Sequence, residues 1–122
     1  MSLSDHETLL LHNPNCSKSR AAKAWLDEQG HAYTERRYLE EPLSTAELAE
    51  LRELLGAPAR DWVRSGQGEY ATAGLSKNSS DVEHYAAMVA APILVERPIV
   101  VHGGAAAVGR PLANVIALFE DD

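Results

Sequence analysis

Cys16 is the only cysteine of the chain and lies in the segment His12-Asn13-Pro14-Asn15-Cys16-Ser17-Lys18-Ser19-Arg20, between an apolar run and a helix-like run. A helix start offers unpaired backbone N–H groups and the positive end of the helix dipole, and both favour an anion. A thiol at that place is expected to ionise readily and act as a nucleophile, with a bound oxyanion beside it. The ordinary alternative is burial as a small apolar residue. Here that would strand the surrounding Asn, Ser, Lys and Arg side chains, so the sulfur is read as accessible. His12, four residues earlier, would as a cation lower the thiol pKa further. Ser19 and Arg20 stand close enough in sequence to support the site. Arg20 either adds positive potential or pairs with an acidic neighbour such as Glu40.

Other chemistries fit less well. The five histidines are scattered without ligand spacing, so no metal site is expected. A tyrosine-phosphatase loop carries arginine six residues after its cysteine, where Ala22 stands here. Gly104 to Gly109 lacks the Lys-Ser/Thr ending of a phosphate-binding loop, having Arg110-Pro111 instead. A formal net charge of −7 argues against a nucleic-acid surface. Of the 11 Lys and Arg residues most are arginine, suited to gripping a small tetrahedral anion. One cysteine cannot form an intrachain disulfide, which agrees with a reducing, cytoplasmic setting and requires any disulfide chemistry to recruit an outside thiol. No apolar stretch is long enough for a membrane span.

The elements that must position these residues follow from patterning. With 122 residues and 45% hydrophobic content, residues 1–122 read as one domain. A buried strand is expected at about Thr8 to His12, then a helix from Cys16 carrying Ala21, Ala22, Trp25 and Leu26 on one stripe and stopping at Gly30. A strand at about Tyr33 to Tyr38 completes a βαβ unit. Ser44 with Glu47, and Ser80 with Glu83, are capping-box signatures for helices through Leu55 and to about Ala90, the second burying Val82, Tyr85, Ala86 and Val89. A short helix from Pro58 through Val63 and a long loop from Gly66 to Ser79 lie between them. Ile99 to Val101, a Gly103-Gly104 turn and Ala105 to Val108 form a hairpin, and Leu112 to Phe119 a last helix. Arg36, Arg37, Arg52 and Arg60 read as solvated, Trp25 and Trp62 as packing residues. The whole is an α/β, thioredoxin-like mixed sheet in the order βαβ, helical insertion, ββα, with helices on its faces.

Taken together, several segments resemble the glutaredoxin-coupled arsenate reductases and their relatives. They are His12 through Arg20, Tyr38-Leu39-Glu40 with Pro42 and Ser44, Val63-Arg64 with Tyr70, Pro92-Ile93-Leu94, Arg97 through Val101, and Gly109-Arg110-Pro111. The resemblance implies a thiolate site on His12, Cys16 and Arg20, oxyanion binding by Arg64, Arg97 and Arg110, and a cis proline at Pro98. It also implies reduction of arsenate to arsenite through a Cys16 adduct, with glutathione as co-substrate, glutaredoxin regenerating the thiol, and no bound cofactor.

Two further readings share the fold. One is a redox-responsive regulator that binds RNA polymerase, which the chain resembles around Ala24-Trp25-Leu26. Ser19 stands where many such regulators carry a second cysteine. The other is a general glutathione-dependent monothiol oxidoreductase, which would need Cys16 and not the three arginines.

Overall fold

A computed structural model describes residues 2–120. Strand β1 (Thr8–Leu11) is followed by helix α1 (Ser17–Glu28), strand β2 (Thr34–Arg36), helix α2 (Thr45–Leu55), a short helix α3 (Gly68–Thr72), helix α4 (Asp81–Ala90), strands β3 (Ile99–His102) and β4 (Ala105–Val108), and helix α5 (Ala113–Ala117). The sheet order is β2-β1-β3-β4; β1 pairs parallel with β2 and antiparallel with β3, and β3 pairs antiparallel with β4. This is the thioredoxin-like mixed sheet that the patterning implied.

Successive side chains of a strand point to opposite faces, and both faces are covered here. Leu9, Leu11, Ile99 and Val101 join a core with Leu48 and Leu51 of α2 and Met88 of α4. Leu10 and Val100 join a second core with Ala22 and Leu26 of α1, Val115 of α5, and Phe119. All four residues of β1 and of β3 are therefore buried, which is why these strands read as unbroken apolar runs.

Both capping boxes form: the Glu47 amide donates to Ser44 Oγ at 3.1 Å, and the Glu83 amide to Ser80 Oγ at 3.1 Å. Trp62 is buried with Nε1 donating to the Ala57 carbonyl, and Trp25 packs edge-on against Phe119, both as packing residues.

Several expectations are corrected. β2 stops at Arg36 because the chain turns there, with the Glu40 and Glu41 amides returning to the Arg37 carbonyl. The segment after Pro58 is a single 3₁₀ turn, Ala59–Asp61, α3 interrupts the expected loop, and α5 is shorter than Leu112 to Phe119. On α4 the buried stripe is His84, Tyr85, Ala87 and Met88, while Val82 is 70% exposed and Val89 42%. Buried His84 donates from Nδ1 to the Ser80 carbonyl at 2.9 Å, while its Nε2 has no hydrogen-bond partner among the described residues. Nor is Arg36 a solvated residue: it pairs with Glu47 and donates to the Glu41 and Pro42 carbonyls, tying β2 to α2.

The hairpin is closely packed at its base. The Gly109 amide donates to the Pro98 carbonyl at 2.8 Å, and the Arg97-Pro98 and Arg110-Pro111 peptides are both cis. A Cβ at Gly109 would stand 2.8 Å from Pro98 Cγ and 3.2 Å from Val115 Cγ2, and both neighbours are buried. Gly109→Ala is therefore expected to cost about 1–3 kcal/mol in urea unfolding. Wild-type stability would show that the contact is not tight.

Candidate active site

Cys16 occupies the N-cap of α1, with φ −104° and ψ 124°. The loop before it is held at both ends. The His12 amide donates to the Arg36 carbonyl at 2.8 Å, extending the β1–β2 ladder, and the Cys16 amide donates to the Asn13 carbonyl at 3.0 Å. No acidic residue stands in the first turn of α1 to oppose a negative charge on sulfur. The half-buried thiol has its pKa raised by burial. The backbone amides of Ser19 and Lys18, and then the charge and side-chain donors of Arg97, outweigh that effect and leave it below the ordinary thiol value.

The three arginines singled out from the sequence share one cleft with this sulfur. Arg64, Arg97 and Arg110 line one cleft of about 400 Å³ together with Cys16, Lys18 and Ile93. Each reaches it by a different structural route. The β3–β4 register pairs Ile99 with Val108, and continued outward past the Pro98–Gly109 bond it sets Arg97 opposite Arg110. Arg64 arrives from the helical insertion, whose chain is zipped to the segment before β3. Val63 bridges Val95, the Arg64 amide donates to the Leu94 carbonyl at 2.7 Å, and the Glu96 amide to the Trp62 carbonyl at 3.0 Å. Arg64 Nη1 also donates to the Ile93 carbonyl at 3.3 Å, and Arg97 Nη1 donates to Glu96 Oε1 at 2.8 Å.

No carboxylate is among the cleft-lining residues, whereas Lys18 and the three arginines are. A chain of net charge −7 thus concentrates positive charge around one thiol. Such an arrangement can hold a tetrahedral oxyanion against a sulfur nucleophile. Among the described residues, no group of three His, Cys, Asp or Glu is disposed to hold a metal ion. No described helix is long and apolar enough to cross a membrane.

His12 takes a different part from the cation expected. It is 2% exposed, and burial lowers its pKa; Glu35 opposes that shift, while Lys23, Arg37 and Arg20 reinforce it. Its Nδ1 lies 2.7 Å from Ser19 Oγ, and that same oxygen accepts from the Asn13 amide at 3.0 Å. With its pKa lowered by burial the ring is neutral at neutral pH, and its Nδ1 and the serine hydroxyl share one hydrogen bond. His12 and fully buried Ser19 therefore clamp the loop as a neutral pair. Arg20 does not pair with Glu40; its Nη1 donates to the Pro14 carbonyl at 2.9 Å, bracing the same loop.

Sequence reasoning did not single out Asn13, Asn15, Ser17, Lys18 or Ile93 as lining residues, nor Glu96 as the partner of Arg97. The signal for the first four was their membership of the loop and first turn around Cys16.

Comparison with known proteins places these features in context. The ArsC family model matches residues 11–118. The arsenate reductase of Neisseria meningitidis serogroup A is 42% identical over 114 residues, covering 92% of this chain and 97% of that protein. Uncharacterized protein YfgD of Escherichia coli is 40% identical over 111 residues, covering 89% and 93%. The solved structure described as arsenate reductase from Vibrio cholerae superposes with a TM-score of 0.87 at 39% identity, over 98% of both chains.

Two measurements check the site. The pH midpoint of Cys16 alkylation is expected below the free-thiol value of about 8.5 and should rise in Arg97→Ala; an unshifted midpoint would remove the activated thiol. Ser19→Ala should lose about 1–3 kcal/mol in chemical denaturation, since it leaves the buried His12 Nδ1 and Asn13 amide without their shared partner; no loss would mean that the clamp is not a stabilising element.

Proposed function

This chain belongs to the ArsC family, and on that premise we propose that it reduces arsenate to arsenite with Cys16 as the nucleophile. The observation that carries the reading is the convergence of Arg64, Arg97 and Arg110 on the Cys16 cleft. Arsenate and the thiolate are both negative, so their approach needs cations on the oxyanion. Three guanidiniums supply them from fixed positions and stabilise the charge as it reorganises.

In the first step the Cys16 thiolate forms a sulfur–arsenic bond and an arsenate oxygen leaves, protonated, as water. Glutathione thiolate then attacks the Cys16 sulfur. A sulfur–sulfur bond forms, the sulfur–arsenic bond breaks, and its electron pair passes to arsenic, which departs as arsenite. The two thiols are oxidised by two electrons and arsenic is reduced by two. The mixed disulfide on Cys16 has no second cysteine in the chain to resolve it, so an external thiol must do so, and glutaredoxin fills that role in the proposed cycle. His12, Ser19 and Arg20 act by holding the loop, and Pro98 by seating the base of the hairpin between Arg97 and Arg110.

The test is NADPH oxidation with arsenate, glutathione, glutathione reductase and glutaredoxin. Arsenate-dependent turnover is expected in the wild type and none in Cys16→Ser, with Arg64→Ala and Arg97→Ala each lowering kcat/KM about 10²–10³-fold. Absence of arsenate-dependent turnover would overturn the reading, and copurification with RNA polymerase would then favour a regulator. Turnover that needs Cys16 and ignores the arginines would favour a general monothiol oxidoreductase.

A further inference from the structure

Arg64 and Arg97 border a second opening besides the Cys16 cleft. Together with Ser65, Gln67 and Glu96 they line a cleft of about 340 Å³. One side of it is a tight turn, in which the Ser65 amide donates to the Val63 carbonyl and the Gln67 amide to the Arg64 carbonyl, each at 3.1 Å. The two clefts therefore adjoin, with the two arginine side chains as their shared border. A guanidinium carries five N–H donors in one plane, so each arginine can serve both sides.

The chemistry of the two clefts differs. No carboxylate lines the Cys16 cleft, whereas the second sets Glu96 beside the arginines. Glu96 Oε1 accepts from the Arg97 amide at 3.3 Å and from Arg97 Nη1 at 2.8 Å, which leaves Oε2 for another donor. Two cations and one carboxylate in a single small cleft suit a zwitterion, whose carboxylate meets the arginines while its ammonium meets Glu96.

The proposed reaction has need of such a place. Once arsenic is bonded to Cys16, its oxygens engage the arginines from the Cys16 side, so the thiol that attacks the sulfur must anchor its own charges elsewhere. Glutathione carries an α-ammonium beside an α-carboxylate on its γ-glutamyl residue. An extended tripeptide spans about 10 Å, more than the thickness of a border one side chain wide.

We propose that the cleft between the 64–67 turn and Glu96 holds the γ-glutamyl end of glutathione, its α-carboxylate on Arg64 and the Gln67 amide and its α-ammonium on Glu96 Oε2, and so presents the thiol to Cys16. This deepens the proposed function and rests on glutathione being the thiol co-substrate.

The test uses S-methylglutathione, which has no free thiol, as a shield of Cys16 against iodoacetamide. In the wild type, alkylation should slow saturably as it is added at constant pH and ionic strength. Gln67→Glu replaces an amide donor by a charge that repels the α-carboxylate, and Glu96→Gln removes the charge that faces the ammonium. Each should raise the half-protecting concentration about tenfold, with every rate referred to the same variant without the shield. Absence of shielding in the wild type, or a half-protecting concentration unchanged in either variant, would overturn the proposal. The measurement contains no arsenate, so the two readings fail separately. Shielding with the expected variant effects but no arsenate turnover would keep this subsite and count against the proposed reaction, while turnover without shielding would count against the subsite alone.

Discussion

The structure depends on keeping like charges together. Arg64, Arg97, Arg110 and Lys18 face one cleft with no carboxylate among the lining residues, and such groups repel one another, so the scaffold has to hold them in place. Each arginine is fixed by its own device. Arg97 is tethered to Glu96 and Arg64 to the Ile93 carbonyl, while Arg110 is placed by hairpin register and by the Gly109–Pro98 hydrogen bond. The remaining positive field falls on a thiol at a helix start. An anion entering the cleft relieves the repulsion, which ties scaffold and chemistry to the same electrostatic fact.

Behind the cleft the polar groups are neutral, and that division has a physical basis. A cationic His12 would have to be buried among Lys23, Arg37 and Arg20, with Glu35 alone opposing them, and burial itself favours the uncharged ring. Neutral His12 and Ser19 can instead complete their hydrogen bonds locally and give the loop a rigid base. Charge is thus reserved for the open side of the site, where water and ligand can meet it. The deeper side holds hydroxyls, amides and an imidazole.

Much of this was legible in the sequence because it is local. Unbroken apolar runs marked the doubly covered strands, and Ser44 with Glu47 and Ser80 with Glu83 marked two helix starts. Gly103-Gly104 marked a hairpin, but only family resemblance pointed to Arg64, Arg97 and Arg110. That the hairpin register faces Arg97 with Arg110 is seen only in the structure, and the arrival of Arg64 depends on the Val63–Val95 bridge between segments some thirty residues apart, which no local pattern encodes. The buried face of α4 differs from the valine stripe because His84 turns inward, its Nδ1 donating within the helix to the Ser80 carbonyl, and a histidine gives no apolar signal for such a face. The charge state of His12 was missed because it depends on depth, which appears only once α1 has packed on the sheet.

The central claim is that the cleft holds a tetrahedral anion directly against the Cys16 thiolate. Its most direct test is the rate of Cys16 alkylation at fixed pH as arsenate is added at constant ionic strength. The account predicts a saturable slowing that chloride does not reproduce and that Arg64→Ala weakens. A rate indifferent to arsenate would contradict it.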